Sequence, residues 1–175
     1  NHDGAGVVDE LGAGVTGLAV GDRVWVTLAG DGRPESGTAQ EYTVVPAERV
    51  FPLPAPAGFE VGASIGIPAA TAHRALTVGE DGPKRLRPGA LAGTSVLVAG
   101  GAGAVGNAAI QLARWAGASV IATVSGDAKR ELATAAGAHH VFDYTKADVA
   151  SDILSVASGG VDLIVEVAAG VNAAL

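Results

Sequence analysis

The sequence predicts an α/β protein in which a parallel sheet, covered by helices on both faces, follows a smaller antiparallel β-region. Three observations predict it. The run Ser95–Ala99 is apolar and strand-like, feeds into the glycine-rich turn Gly100–Gly106, and continues as a helical pattern through Ala116. From Thr94 onward, short apolar runs alternate with helical ones as β-α-β-α-β-α-β, the order of a parallel sheet with both faces covered. Ahead of that, residues 4–53 are short apolar runs separated by glycines, which favours antiparallel, barrel-like strands.

The first strands are Ala5–Leu11 and Arg23–Thr27, parted by Gly12, Gly14, Gly17 and Gly21-Asp22. Ala39–Val45 then leads through Pro46 to Val50–Leu53. Pro52, Pro54 and Pro56 close that region, because proline cannot donate to a ladder. Phe59–Gly66 reads as a short helix and Ala69–Val78 as a second, with Pro68 near its start, where a missing N–H costs least. Gly79–Gly93, with Pro83, Pro88 and several charges, reads as a loop or linker.

The parallel region places strands at Ser95–Ala99, Ser119–Val124, His140–Asp143 and Asp162–Val167. Its helices are Ala104–Ala116, Asp127–Ala136 and Lys146–Ala157, and Gly117 and Gly137 stand where helix C-terminal glycines belong. The expected domains are residues 1–70 and 71–175. A complete doubly wound sheet has about six strands in the order 3-2-1-4-5-6. Only four are legible, so the sheet is expected to be incomplete and the chain an internal piece of a longer protein.

Composition narrows the function classes. With 49% apolar residues and 26 glycines spread along 175 positions, the chain reads as globular, neither disordered nor low-complexity. No apolar run is long enough for a membrane helix, and Asn1–Val20 carries no signal-peptide pattern. The absence of cysteine excludes disulfides and thiolate metal sites. A formal charge of −7 argues against a nucleic-acid partner.

The turn is a G-x-G-x-x-G motif at Gly101, Gly103 and Gly106, set between strand and helix, the context that makes it a dinucleotide site. Gly101 would allow the tight turn, Gly103 close approach to a pyrophosphate, and Gly106 close packing of helix on strand. The free N–H groups at the helix start would face the anion. The end of the second parallel strand bears on the nucleotide. An NAD site usually has an acid there for the ribose 2′-hydroxyl, but Thr123, Val124, Ser125 and Gly126 are not acidic, and Lys129 and Arg130 follow within a turn. That pattern favours NADPH. Asp127 is counter-evidence, unless it only complements the helix dipole, and Lys129 would otherwise be an ordinary solvated helix lysine.

The chain resembles the zinc-independent quinone oxidoreductases, the zeta-crystallin-like group of the medium-chain dehydrogenase/reductase superfamily. The segments that carry the likeness run in family order: Ala5-Gly6-Val7-Val8, Val20 to Val24, Gly37 to Tyr42, Ile65 to Pro68 with Thr71 to Leu76, Gly100 to Gly106, Gly137-Ala138-His139 and Asp162 to Glu166. The resemblance implies part of a GroES-like β-barrel domain followed by an incomplete Rossmann domain. It implies that Ala102, Gly103, Ala104 and Val105 lie against the pyrophosphate, and that Ser125 and Lys129 hold the 2′-phosphate. It likewise implies that Tyr144 touches the adenosine end, that Asn172 lies on a loop near the cofactor, and that Thr71 faces the cofactor from its helix. From the residues alone, Tyr144 would be an ordinary strand-end aromatic.

Zinc alcohol dehydrogenases share the superfamily. His2 falls at their zinc-binding histidine, but the position of their cysteine ahead of Thr71 falls near Ile67, and one histidine does not make a zinc site. His139 and His140 are neighbours, which a strand would point to opposite faces. His73 stands where the family has a tyrosine and reads as structural. Without zinc to polarise an alcohol, the implied reaction is hydride delivery from NADPH to an electrophilic quinone or α,β-unsaturated carbonyl. The expected partner is that small molecule, in a cytoplasmic protein that is a homo-oligomer at full length. The catalytic acid is left unassigned, and the 175 residues alone are expected to be inactive. Two alternatives stay open: the enoyl-reductase domain of a polyketide synthase, and a catalytically silent NADPH-binding structural or sensor protein.

Overall fold

Antiparallel pairing comes first along the chain. Strands β1 (Gly4–Val7), β2 (Arg23–Val26) and β3 (Val50–Pro52) form a sheet in the order β1-β2-β3. Trp25 lies opposite Ala5 on one side and Phe51 on the other, and the Trp25 and Phe51 rings stack with centroids 4.5 Å apart. The computed structural model describes residues 1–30, 32, 36–80, 82–146, 148–167 and 169. The chain divides into two compact units, Asn1–Ala70 and Thr71–Leu175.

The first unit corrects two expectations. Ala39–Val45 forms no strand; Tyr42 and Val44 are 73% and 97% exposed, so its apolar side chains gain no burial that would hold a strand there. The two expected helices are one, α1 (Phe59–Thr77), with Pro68 inside it. Proline removes one helical N–H and crowds the carbonyl four residues back. Here the preceding amide, Ile67 N–H, donates instead to Asp3 Oδ2 at 2.7 Å. Asp3 Oδ1 accepts from Thr27 Oγ1 at 2.8 Å, and its carbonyl accepts from Thr38 Oγ1 at 2.5 Å. Gly66 makes room, since a Cβ there would stand 2.3 Å from Asp3 Oδ1.

The second unit is a parallel sheet of β4 (Ser95–Ala99), β5 (Ser119–Val124), β6 (His140–Asp143) and β7 (Leu163–Val165), in the order β6-β5-β4-β7. Numbered within the unit, that order is 3-2-1-4, the first four positions of a doubly wound sheet. Helices α2 (Ala104–Trp115), α3 (Asp127–Ala135) and α4 (Val149–Val156) alternate with the strands. Val96, Val98, Val120, Ala113 and Ile110 are wholly buried between α2 and the sheet. Gly117 and Gly137 adopt φ of +93° and +106° and end α2 and α3. Behind each glycine the next amide bonds back across the last turn, Ala118 to the Ala113 carbonyl and Ala138 to that of Ala133, the arrangement only a left-handed residue closes. Gly79–Gly93 has no helix or strand among its described residues, yet it buries Leu86 and Leu91 in this core.

Candidate functional site

The C-terminal ends of β4, β5 and β6 lie side by side. Gly101 N–H donates to the Thr123 carbonyl, and Tyr144 N–H to that of Val124, both at 3.0 Å. These bonds extend the ladder past the strand ends, so the glycine turn, Ser125 and Tyr144 share one edge of the sheet. Ligands of open α/β sheets bind at that edge.

The glycines of the turn do different work. The left-handed residue is Gly100, at φ +70°, so the tight turn belongs to it and not to Gly101. Gly101 is required by packing: a Cβ there would meet Ala122 Cβ at 2.9 Å and Ile110 Cδ1 at 3.0 Å. Gly106 is tighter still, because a Cβ would stand 2.3 Å from the Gly100 carbonyl oxygen. At Gly103 the nearest atom would be that same oxygen at 3.4 Å, so its open side faces away from the protein.

Gly103 occupies the N-cap position of α2 and makes no side-chain cap there, and no acid stands in the first turn. Gly103 and Ala104 are exposed, and Ala102 and Val105 half-buried. The helix start therefore presents N–H groups and positive dipole to an outer anion, with no internal carboxylate competing. A dinucleotide pyrophosphate fits these features: an uncapped helix start, a glycine open outward, and a second glycine drawing helix against strand.

At the end of β5, Lys129 Nζ donates to Ser125 Oγ at 2.7 Å across one turn of α3. Arg130, the neighbouring cation, is committed elsewhere: its guanidinium donates to the Val141 carbonyl. Sequence spacing could not separate these two, and the structure leaves Lys129 with Ser125. Asp127 lies exposed in the first turn of α3. Tyr144 is 39% exposed at the edge. Thr71 is exposed on α1, and Asn172 lies outside the described residues. Sequence reasoning passed over Asp143, which is buried at the end of β6. Its signal was its place in the strand, directly opposite Val124.

The histidines do not converge. His2 lies exposed against Gly30, where a Cβ would be 2.9 Å from its ring. His139 Nδ1 accepts from Val120 N–H at 2.9 Å while Nε2 meets the Arg114 guanidinium. Burial, the Arg114 charge and His140 hold its pKa below the ordinary 6.5. His140 stacks on Phe142 instead. No group of three or more His, Asp or Glu side chains suited to a metal ion occurs among the described residues. With no cysteine in the chain either, the residues present do not fit a catalytic zinc.

Two family descriptions match the chain: the alcohol dehydrogenase GroES-like domain over residues 1–55 and the zinc-binding dehydrogenase over 104–175. The quinone oxidoreductase of Pongo abelii is 35% identical over 171 residues, 97% of this chain and 48% of the relative. A trans-enoyl reductase of Aspergillus terreus is 38% identical over 159 residues, 87% of this chain and 52% of the relative. Among solved structures, Escherichia coli quinone oxidoreductase complexed with NADPH superposes with a TM-score of 0.71 at 28% identity, over 90% of this chain and 44% of that one. The chain spans about half the length of the curated relatives it matches. It belongs to the medium-chain dehydrogenase/reductase superfamily, with a GroES-like N-terminal region and a Rossmann-type sheet. Within that superfamily it is quinone oxidoreductase-like.

Proposed function

We propose that this protein is an NADPH-dependent oxidoreductase that delivers hydride to a quinone or an α,β-unsaturated carbonyl without zinc. The observation that carries the reading is the Ser125–Lys129 pair beside the uncapped start of α2. Ala104 and Val105 would hold the pyrophosphate by backbone N–H groups, with Ala102 and Gly103, whose own N–H donates to the Gly100 carbonyl, lying against it; Lys129 with Ser125 would hold the 2′-phosphate, with Tyr144 along the adenosine. Thr71 and Asn172 join that set by family likeness alone. When bound, the nicotinamide supplies the hydride, and the protein supplies orientation.

The donor set argues for the acceptor class. The chain has no cysteine and, among its described residues, no group of three or more His, Asp or Glu placed to hold a metal that would polarise an alcohol oxygen, which supports acceptors that are already electrophilic. Likeness to a quinone oxidoreductase and to a trans-enoyl reductase supports the same class. The family likeness extends the proposal to a cytoplasmic homo-oligomer.

Lys129→Ala tests the cofactor assignment. A charged contact of this kind contributes about 1.5–3 kcal/mol, so NADPH affinity should fall about tenfold or more while NADH affinity changes little. Equal losses would show that Lys129 does not read the 2′-phosphate. The full-length protein should reduce simple quinones with NADPH. Turnover confined to enoyl thioesters would favour the enoyl-reductase reading, and tight NADPH binding with no reduction of either would point to a non-catalytic role.

A further inference from the structure

We propose that Asp143 is the positioning residue for cofactor selection, holding in place the turn that carries Ser125 and opens onto Lys129. The inference rests on the 2′-phosphate reading above and adds a residue to it.

Asp143 is 8% exposed and pairs with Val124 in the β5–β6 register. Its Oδ2 accepts from Gly126 N–H at 3.1 Å. Its Oδ1 accepts from Thr145 N–H at 3.0 Å and from Thr145 Oγ1 at 2.7 Å. The carboxylate thus ties the turn after β5 to the turn after β6. Between its anchors, Tyr144 N–H donates to the Val124 carbonyl. Gly126 adopts φ +93° and is the residue from which α3 starts. Fixing its N–H fixes the direction in which α3 leaves the strand, and with it the approach of Lys129 to Ser125.

A carboxylate suits the position because three donors arrive and both oxygens only accept. An amide offers one accepting oxygen, so asparagine serves Gly126 or Thr145 but not both. Positioning and simple charge make opposite forecasts. By charge alone, removing an anion close to a bound phosphate would strengthen NADPH binding. By positioning, removing it loosens the Ser125–Lys129 pair and weakens NADPH, with NADH little affected because it lacks the 2′-phosphate.

The test is a fluorescence titration of NADPH and of NADH against the full-length protein, with thermal unfolding alongside. Asp143→Ala should lower NADPH affinity about tenfold, the scale of one lost charged contact, with NADH changed less than about twofold. Asp143→Asn should fall between wild type and alanine. Thr145→Ala should lower the melting temperature and leave the NADPH-to-NADH ratio intact, since the Gly126 bond survives. Should the alanine variant not fold, Asp143→Thr, a strand-compatible residue too short to reach Gly126, carries the same expectation. An unchanged ratio in a folded Ala or Thr variant, or tighter NADPH binding, overturns the proposal. If Lys129→Ala is selective for NADPH and Asp143→Ala is not, positioning fails alone. If Lys129→Ala is unselective, the 2′-phosphate reading fails and takes this inference with it.

Discussion

Gly103 and Gly106 sit three residues apart in one motif and answer to different forces. A methyl group at Gly106 would press on the Gly100 carbonyl from 2.3 Å, while at Gly103 the nearest atom is 3.4 Å away. Gly106→Ala should therefore cost about 1–3 kcal/mol of stability, the range for overpacking, and lower the chemical-denaturation midpoint. Gly103→Ala, whose φ of −73° suits any residue, should stay within about 1 kcal/mol of wild type. Its dinucleotide affinity should nevertheless fall, because the methyl would stand where a pyrophosphate approaches. If both variants lose stability alike, Gly103 is a packing residue too. At this scale the motif was legible as a pattern, but the assignment of roles was not. Which glycine is left-handed and which is pressed by a neighbour depends on atoms of β5, α2 and α3, not on the spacing of three letters.

Helix α1 shows how an element's continuity is decided outside it. The local sequence, with Pro68 in mid-run, reads as two helices, and the helix continues because Asp3 supplies an acceptor to Ile67 N–H. Asp3→Ala should leave that amide and the Thr27 hydroxyl without their acceptor. The expected loss is about 2 kcal/mol, the scale of hydrogen bonds to a charged group, read from the urea midpoint and from amide exchange at Ile67. Thr38→Val, which removes only a bond to the Asp3 carbonyl, should cost less, and equal costs would show that the carboxylate is not what sustains the helix. The strands of the parallel sheet needed no such help. β5 is buried on both faces past its first residue, β4 alternates half-buried with buried positions and β6 pairs alongside β5, so Ser95–Ala99, Ser119–Val124 and His140–Asp143 form where the sequence places them. Ala39–Val45 reads as a short strand but pairs with no strand among the described residues, and a strand-like run alone does not form a ladder.

At the scale of the whole molecule, three titrating groups among the described residues shape stability against pH. The Ser95 hydroxyl and amide hold Asp162 below the ordinary 3.8, a staple between the start of β4 and the approach to β7. The Thr145 hydroxyl and amide, helped by Gly126, do the same for Asp143. A depressed carboxylate means the unfolded chain takes up protons first, so this stability is present above pH 3.8 and is lost as pH falls below it. His139, also depressed, follows the same sign around its ordinary 6.5: the unfolded chain binds the proton more readily, and stability declines as pH drops through that value. The urea midpoint should therefore be level above about pH 7.5, step down on acidification, and step down again below pH 3.8. His139→Gln should remove the upper step and Asp162→Asn should shrink the lower one. Sequence by itself determined the fold class, the four parallel strands and the strand–glycine turn–helix order at Gly100–Gly106, because periodicity, glycine spacing and residue chemistry are local and survive in a string of letters. Only the tertiary structure decided that Arg130 bonds Val141 while Lys129 meets Ser125, that Asp3 carries α1 past Pro68, and that Asp143 pins Gly126. The Arg130, Asp3 and Asp143 bonds join separate elements, with partners chosen by the distances that packing sets, and the local Lys129–Ser125 bond stands apart from Arg130 because Arg130 is drawn to β6.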